Sequence, residues 1–130
     1  MYQKPTLIRF DQVDHAQKLF FAEAFTLAHS TFEEWIASKF DWNFWFNNQE
    51  WAVPLVHAEA DYRLPLIAGE KVTVELNSIK LGSSRIEVTT QIKKTDSVAV
   101  TVQTVHVFVG KKSGKKIDIP AEVRKTLETH

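Results

Sequence analysis

The chain contains no cysteine, which excludes disulfides, thiolate nucleophiles and cysteine-ligated metal centres. Glycine and proline are scarce, with four of each in 130 residues, and no glycine-rich phosphate loop or low-complexity linker is present. Net charge is absent as well. Sixteen Lys and Arg balance sixteen Asp and Glu, which removes any overall bias toward nucleic acid or an acidic membrane surface. Aromatic residues and lysines occupy different segments, a further argument against a nucleic-acid surface. No apolar run approaches the roughly 20 residues of a membrane span. Met1-Tyr2-Gln3-Lys4-Pro5 lacks the apolar stretch of a signal peptide, so a soluble, cytoplasmic protein without membrane insertion is expected. There is no Gly-x-Ser-x-Gly elbow, and the histidines at 15, 29, 57, 106 and 130 show no metal-ligand spacing.

What is present is an apolar fraction of 44%, enough for one domain over residues 1–130 with a substantial core. Thr6 to Phe10 leans apolar and reads as a strand, and the polar stretch Asp11 to Lys18 reads as a loop. Phe21, Phe25, Ala28, Phe32 and Trp35 then recur at steps of four, three, four and three, the period of an amphipathic helix. Ser30 and Glu33 have the form of a capping box, but the apolar stripe passes through them in phase, so one helix continues. Phe40, Trp42, Phe44, Trp45, Phe46 and Trp51 crowd together just beyond it. Two readings stand: packing that pins the helix end to a sheet, or an aromatic wall for a flat ligand.

Strands follow Pro54. Leu55 to Tyr62 is one, Val72, Val74 and Leu76 mark a second, and Ile86, Val88, Thr90 and Ile92 mark a third. Val98 to Val109 is the longest, with an apolar phase that switches parity part-way. A bulge near Gln103-Thr104 restores the phase; burial of both faces also accounts for it. Pro120 opens a short helix from Ala121 to about Leu127. Short connections favour antiparallel pairing, and one helix must bury its stripe on the sheet. The fold class is therefore α+β, a long helix on a curved antiparallel sheet. One helix covers only part of such a sheet, which predicts association of copies edge to edge or face to face.

One segment carries chemistry. Arg9-Phe10-Asp11-Gln12-Val13-Asp14-His15-Ala16-Gln17-Lys18-Leu19-Phe20-Phe21 sets carboxylates just before the positive end of the helix, where a developing oxyanion is held favourably. Asp11 reads as structural, capping a turn or pairing with Arg9. Lys111, Lys112, Lys115 and Lys116 form the one strong basic patch, either a solvated turn or a phosphate contact.

This segment and the order of elements resemble the hotdog-fold acyl-CoA thioesterases of the 4-hydroxybenzoyl-CoA thioesterase type. Their first strand ends in Phe-x-Asp-x-Asp-x-x-Gly before the central helix. A second stretch, Pro54-Leu55-Val56-His57-Ala58-Glu59-Ala60-Asp61-Tyr62 with Pro65 and Gly69-Glu70 beyond, is similar to the 1,4-dihydroxy-2-naphthoyl-CoA hydrolases of phylloquinone and menaquinone synthesis. The resemblance implies hydrolysis of an aromatic acyl-CoA by water, with no metal or prosthetic group. It implies Asp14 as nucleophile or general base and the backbone N–H of Phe21 as oxyanion donor. Gln17 and His57 become candidate substrate contacts, and Lys111 or Lys112 candidates for the CoA phosphates. It also implies a homodimer or homotetramer with sites at the subunit interface. The family's glycine is Gln17 here. Other readings are an enzyme for acyl carrier protein or aliphatic CoA esters, and an acyl binder or scaffold without turnover.

Overall fold

The computed structural model describes residues 2–129; Met1 and His130, one of the five histidines, lie outside the described residues. In chain order come β1 (Gln3–Leu7), α1 (Phe21–Lys39), α2 (Trp42–Phe46), β2 (Trp51–Ala52), β3 (Leu55–Tyr62), β4 (Lys71–Leu81), β5 (Arg85–Lys94), β6 (Ser97–Val107), β7 (Val109–Gly110) and α3 (Ala121–Glu128). Five strands form one antiparallel sheet in the order β1-β4-β5-β6-β3, and β2 pairs with β7 beside it. The α+β hotdog arrangement is therefore present, with α1 packed on the curved sheet.

The first strand lies earlier than its apolar residues suggest. It spans Gln3–Leu7 and includes Pro5, whose missing N–H is tolerated because β1 is an edge strand. Ile8 leaves the strand to exchange backbone bonds with the turn before β4: its N–H donates to the Glu70 carbonyl (2.9 Å) and its carbonyl accepts from Gly69 (2.7 Å). Gly69 has φ +91°, a conformation that side chains with a Cβ rarely adopt.

Helix α1 is continuous through Ser30, whose hydroxyl donates to the Leu27 carbonyl. Its buried face is Ala24, Leu27, Ala28, Thr31, Phe32, Trp35 and Ile36. Phe21 belongs to the predicted stripe but is 62% exposed; small Ala24 meets the sheet in its place. Two packed clusters result. Ala24, Leu27 and Ala28 meet Ile8, Leu66, Val74, Ile92 and Val102, while Phe32, Trp35 and Ile36 meet Trp45, Trp51, Leu76 and Phe108.

The aromatic stretch after α1 packs into the core through Trp45 and Trp51, with Phe40, Phe44 and Phe46 partly buried against them and Trp42 left exposed. Trp45 and Trp51 are buried and edge-packed at 5.7 Å between ring centroids, and Trp45 meets Phe108 edge-on at the same distance. Neither tryptophan lines either cavity described below. The parity switch in β6 also resolves. Pairing through Gln103 and Thr104 is regular on both sides, and the register slips at Ala99 instead. Val100, Val102 and His106 continue the inner face, while Val105 and Val107 line a cavity on the sheet's other side. A half-buried Val105 and a buried Val107 on the outer face, not a bulge at residues 103–104, account for the pattern.

Candidate active site

The segment read as a loop is two tight turns. Phe10–Gln12 forms a single 3-10 turn, and Gln12, 2% exposed, accepts the Arg9 N–H on its side-chain oxygen at 2.9 Å. Arg9 grips Asp11 through two bonds of 2.9 and 3.1 Å, and this hydrogen bonding holds the Asp11 carboxyl below its usual range. Asp11 is thus the structural acid of the pair. The chain then reverses in a small hairpin: Val13 pairs with Leu19, Asp14 N–H donates to the Lys18 carbonyl (2.8 Å), and Gln17 N–H to the Asp14 carbonyl (2.9 Å). Gln17 sits at φ +62°, the left-handed position of the turn. That position favours glycine, because a Cβ there crowds the following carbonyl. Glutamine holds this left-handed position under strain.

The same hairpin orients the Asp14 carboxylate. Its Oδ1 accepts from the Ala16 N–H (2.9 Å) and the Lys18 N–H (3.3 Å). Oδ2 makes no hydrogen bond among the described residues, so one oxygen is anchored and the other is available. The hairpin is fastened in turn: Lys18 bridges to Ile67, Leu19 N–H donates to Leu66, and Phe20 N–H donates to Gln12. Glu70 braces that outer loop by accepting the Ile67 N–H at 2.8 Å while paired to Lys94 at 2.6 Å. The Lys94 hydrogen bond holds the Glu70 carboxyl below its ordinary range.

Beside Asp14 stands the mouth of α1. A helix start carries unpaired N–H groups, usually covered by a Ser, Thr, Asp or Asn side chain at the N-cap. Here the N-cap is Phe20, which offers no side-chain acceptor. Glu23 N–H turns back to the Phe20 carbonyl (2.9 Å), and the Phe21 and Ala22 N–H groups at the positive end of the helix have no hydrogen-bond acceptor among the described residues. Asp14, Phe20 and Phe21 line one cavity of about 460 Å³ with Lys18, Tyr62 and Arg63. The Tyr62 hydroxyl donates to the Phe21 carbonyl at 2.5 Å, and burial raises the phenol's pKa, so it remains a donor at neutral pH.

Of the residues singled out from sequence, Asp14 and Phe21 come together in this cavity. Gln17 stands in the hairpin turn next to it and does not line it. His57 lies on β3, 3.3 Å from Glu59, in a second cavity of about 760 Å³ on the outer face of the sheet. That cavity is lined by strands and turns alone, including Lys80, Arg85 and Lys116. Lys111 and Lys112 are exposed on the turn that carries Lys116. Sequence reasoning did not single out Tyr62, Arg63 or Lys18. The one signal for the first two was a tyrosine and an arginine closing a strand just before Leu64-Pro65.

A strand-and-hairpin acid facing an uncapped central helix, on this sheet topology, defines a class of protein. The chain belongs to the thioesterase-like superfamily, whose sequence profile matches residues 8–127. It is closely related to the 1,4-dihydroxy-2-naphthoyl-CoA hydrolase branch. The hydrolase of that name from Nostoc punctiforme is 31% identical over 124 residues, covering 95% of this chain and 84% of that protein. The one from Synechococcus elongatus is 27% identical over 129 residues, covering 98% and 95%. Among solved structures, a 1,4-dihydroxy-2-naphthoyl-CoA thioesterase from Synechocystis superimposes with a TM-score of 0.87 at 22% identity, over 97% of this chain and 94% of that one. At that identity the superposition establishes the fold. Fold and family are consistent with thioesterase activity in general. No helix among the described residues is long and apolar enough to cross a membrane.

Proposed function

We propose that this protein hydrolyses an aromatic acyl-CoA thioester to the free acid and CoA, with 1,4-dihydroxy-2-naphthoyl-CoA as the preferred substrate. The observation that carries the reading is the single cavity shared by the anchored Asp14 carboxylate and the uncapped start of α1. The named activity of the cyanobacterial relatives supports the choice of acyl group.

In the base mechanism, Asp14 Oδ2 takes a proton from water as the water oxygen bonds to the thioester carbon. The carbonyl oxygen becomes an oxyanion held by the Phe21 N–H. Collapse breaks the C–S bond, and the CoA thiolate leaves with the proton that Asp14 returns. In the nucleophile mechanism, Oδ2 itself attacks, CoA leaves as thiolate, and water cleaves the resulting anhydride. Water is the only co-reactant in either case.

The reading extends to assembly. β3 is an edge strand with no fully buried residue, and Leu55, Val56 and Tyr62 on it are exposed apolar side chains. Antiparallel pairing of β3 with a second copy would bring the Tyr62 end of one strand beside the His57 end of the other. The Asp14 cavity of each protomer would then open toward the second copy's Lys80, Arg85 and Lys116, cations suited to the CoA phosphates, with Lys111 and Lys112 on the adjoining turn. Gln17 would face the substrate from the hairpin and His57 from the seam. A homodimer or a tetramer of such dimers, working as one domain in the cytoplasm, is the form this reading takes.

The test is free-CoA release from 1,4-dihydroxy-2-naphthoyl-CoA, 4-hydroxybenzoyl-CoA, benzoyl-CoA and short and long aliphatic acyl-CoAs. Fast release from the naphthoyl ester alone is the expected result. Preference for an aliphatic ester would overturn the substrate, and binding of every ester without release would make the protein an acyl binder.

A further inference from the structure

Among the described residues, Tyr62 is the one side chain that ties the end of β3 to the first turn of α1 by a hydrogen bond, across 41 residues of sequence. Its acceptor, the Phe21 carbonyl, belongs to the same peptide unit as the Ala22 N–H, which is uncovered at the helix mouth. Carbonyl and N–H of one trans peptide point in opposite directions. In the first turn of a helix the N–H points out of the N-terminal end. Holding the carbonyl from behind therefore fixes where the N–H points. It also polarises the unit, because a hydrogen bond accepted at the carbonyl strengthens the donor at the nitrogen.

The geometry points to Tyr62 as a positioning residue for the helix mouth: its hydroxyl on the Phe21 carbonyl fixes the Phe21–Ala22 peptide and adds the Ala22 N–H to that of Phe21 as an oxyanion donor. The inference rests on the thioesterase reading of the Asp14 cavity. It explains how a helix start can be held still with no capping side chain. An N-cap serine or aspartate would place its oxygen on the N–H groups of the second or third helical residue and so occupy the donors themselves. Phe20 leaves them open, and Tyr62 supplies the restraint from the carbonyl side, where it blocks nothing. Because Tyr62 ends the free-edge strand β3, the restraint also links that edge to the reacting centre.

The test is Tyr62→Phe, which keeps the ring and removes the hydroxyl. With whichever acyl-CoA the wild type turns over best, kcat is expected to fall roughly tenfold, about what one neutral hydrogen bond contributes. KM and the melting temperature should stay unchanged. In the free protein the Ala22 amide proton should move upfield in a 1H–15N spectrum, as its peptide loses polarisation. Wild-type kcat with an unmoved Ala22 amide would overturn the inference. So would a loss confined to KM or to the melting temperature, which would mark Tyr62 as a substrate contact or a packing residue. If the wild type turns over no ester, the thioesterase reading fails by itself. The amide shift then decides the positioning claim alone, an unmoved signal overturning it.

Discussion

At its C-terminal end α1 leads into α2, whose N-cap Asp41 accepts from the Asn43 and Phe44 N–H groups. At its own N-terminus the equivalent position is Phe20, with no side-chain oxygen to give. The aromatic residues divide in the same way. Trp45 and Trp51 are buried against Phe108, whereas Phe20 and Phe21 are left in the open around the Asp14 cavity. One end of the molecule satisfies its donors and buries most of its rings, with Trp42 the exception; the other leaves donors and rings available. The capping rule is obeyed at α2 and departed from at α1, beside the Asp14 cavity.

That contrast can be broken from the closed end first. Trp45→Ala removes a buried ring from a cluster that cannot easily collapse, and should cost about 3–5 kcal/mol in urea unfolding. A loss near zero would mean that the cluster is not core. Acid should act almost as strongly through His106, which is 2% exposed and stacked on Phe32 at 4.5 Å. Burial, with help from the His29 charge, lowers its pKa from 6.5 to about 4. The folded state therefore resists a proton that the unfolded chain accepts. The His106 contribution to stability is fully present above pH 6.5 and is lost as pH falls from there through about 4, by roughly 3 kcal/mol. His106→Gln should flatten that part of the pH–stability profile, and an unchanged slope would assign it to other groups.

Capping offers a sharper comparison. Asp41→Ala should cost about 1 kcal/mol of stability and leave turnover alone. Phe20→Ser, which supplies the missing cap, should add about 0.5–1 kcal/mol while turnover falls, because the new oxygen competes for the open donors. Equal behaviour of the two ends would remove the distinction. The smallest expected change is at the hairpin. Gln17→Gly relieves the left-handed strain but loosens the unfolded chain, for a net gain below about 1 kcal/mol in thermal unfolding. A loss there would show that the glutamine side chain stabilises the turn.

Much of this was legible in the sequence because periodicity reports burial. The start of α1 at Phe21 follows from the apolar spacing, whereas the strand Leu55–Tyr62, which has no fully buried residue, is bounded by Pro54 and by the turn residues Pro65 and Gly69. Asp14 stood out because it is the second of two carboxylates before the helix in a segment that resembles the thioesterase motif; an acid before a helix start is by itself ordinary capping chemistry. The cavity joins it to Phe21. Phe21 itself misled in one respect: it fits the apolar stripe yet faces the cavity, because the stripe cannot say where a helix leaves the sheet. The first strand is legible but reads late, at residues 6–10 and not Gln3–Leu7, because its apolar residues lie at its end and only the sheet order shows that an edge strand can hold Pro5. The Tyr62 bond to Phe21 and the outer cavity join residues far apart in sequence, and no local pattern encodes such meetings.

The most direct test of the account is Asp14→Asn beside the wild type, reading free-CoA release from the best acyl-CoA together with the melting temperature. The account predicts a rate lower by about 10²-fold or more with little change in melting temperature, because asparagine keeps the Oδ1 acceptor that shapes the hairpin. Release that is indifferent to Asp14 would contradict it, and would move the chemistry away from the open end of α1.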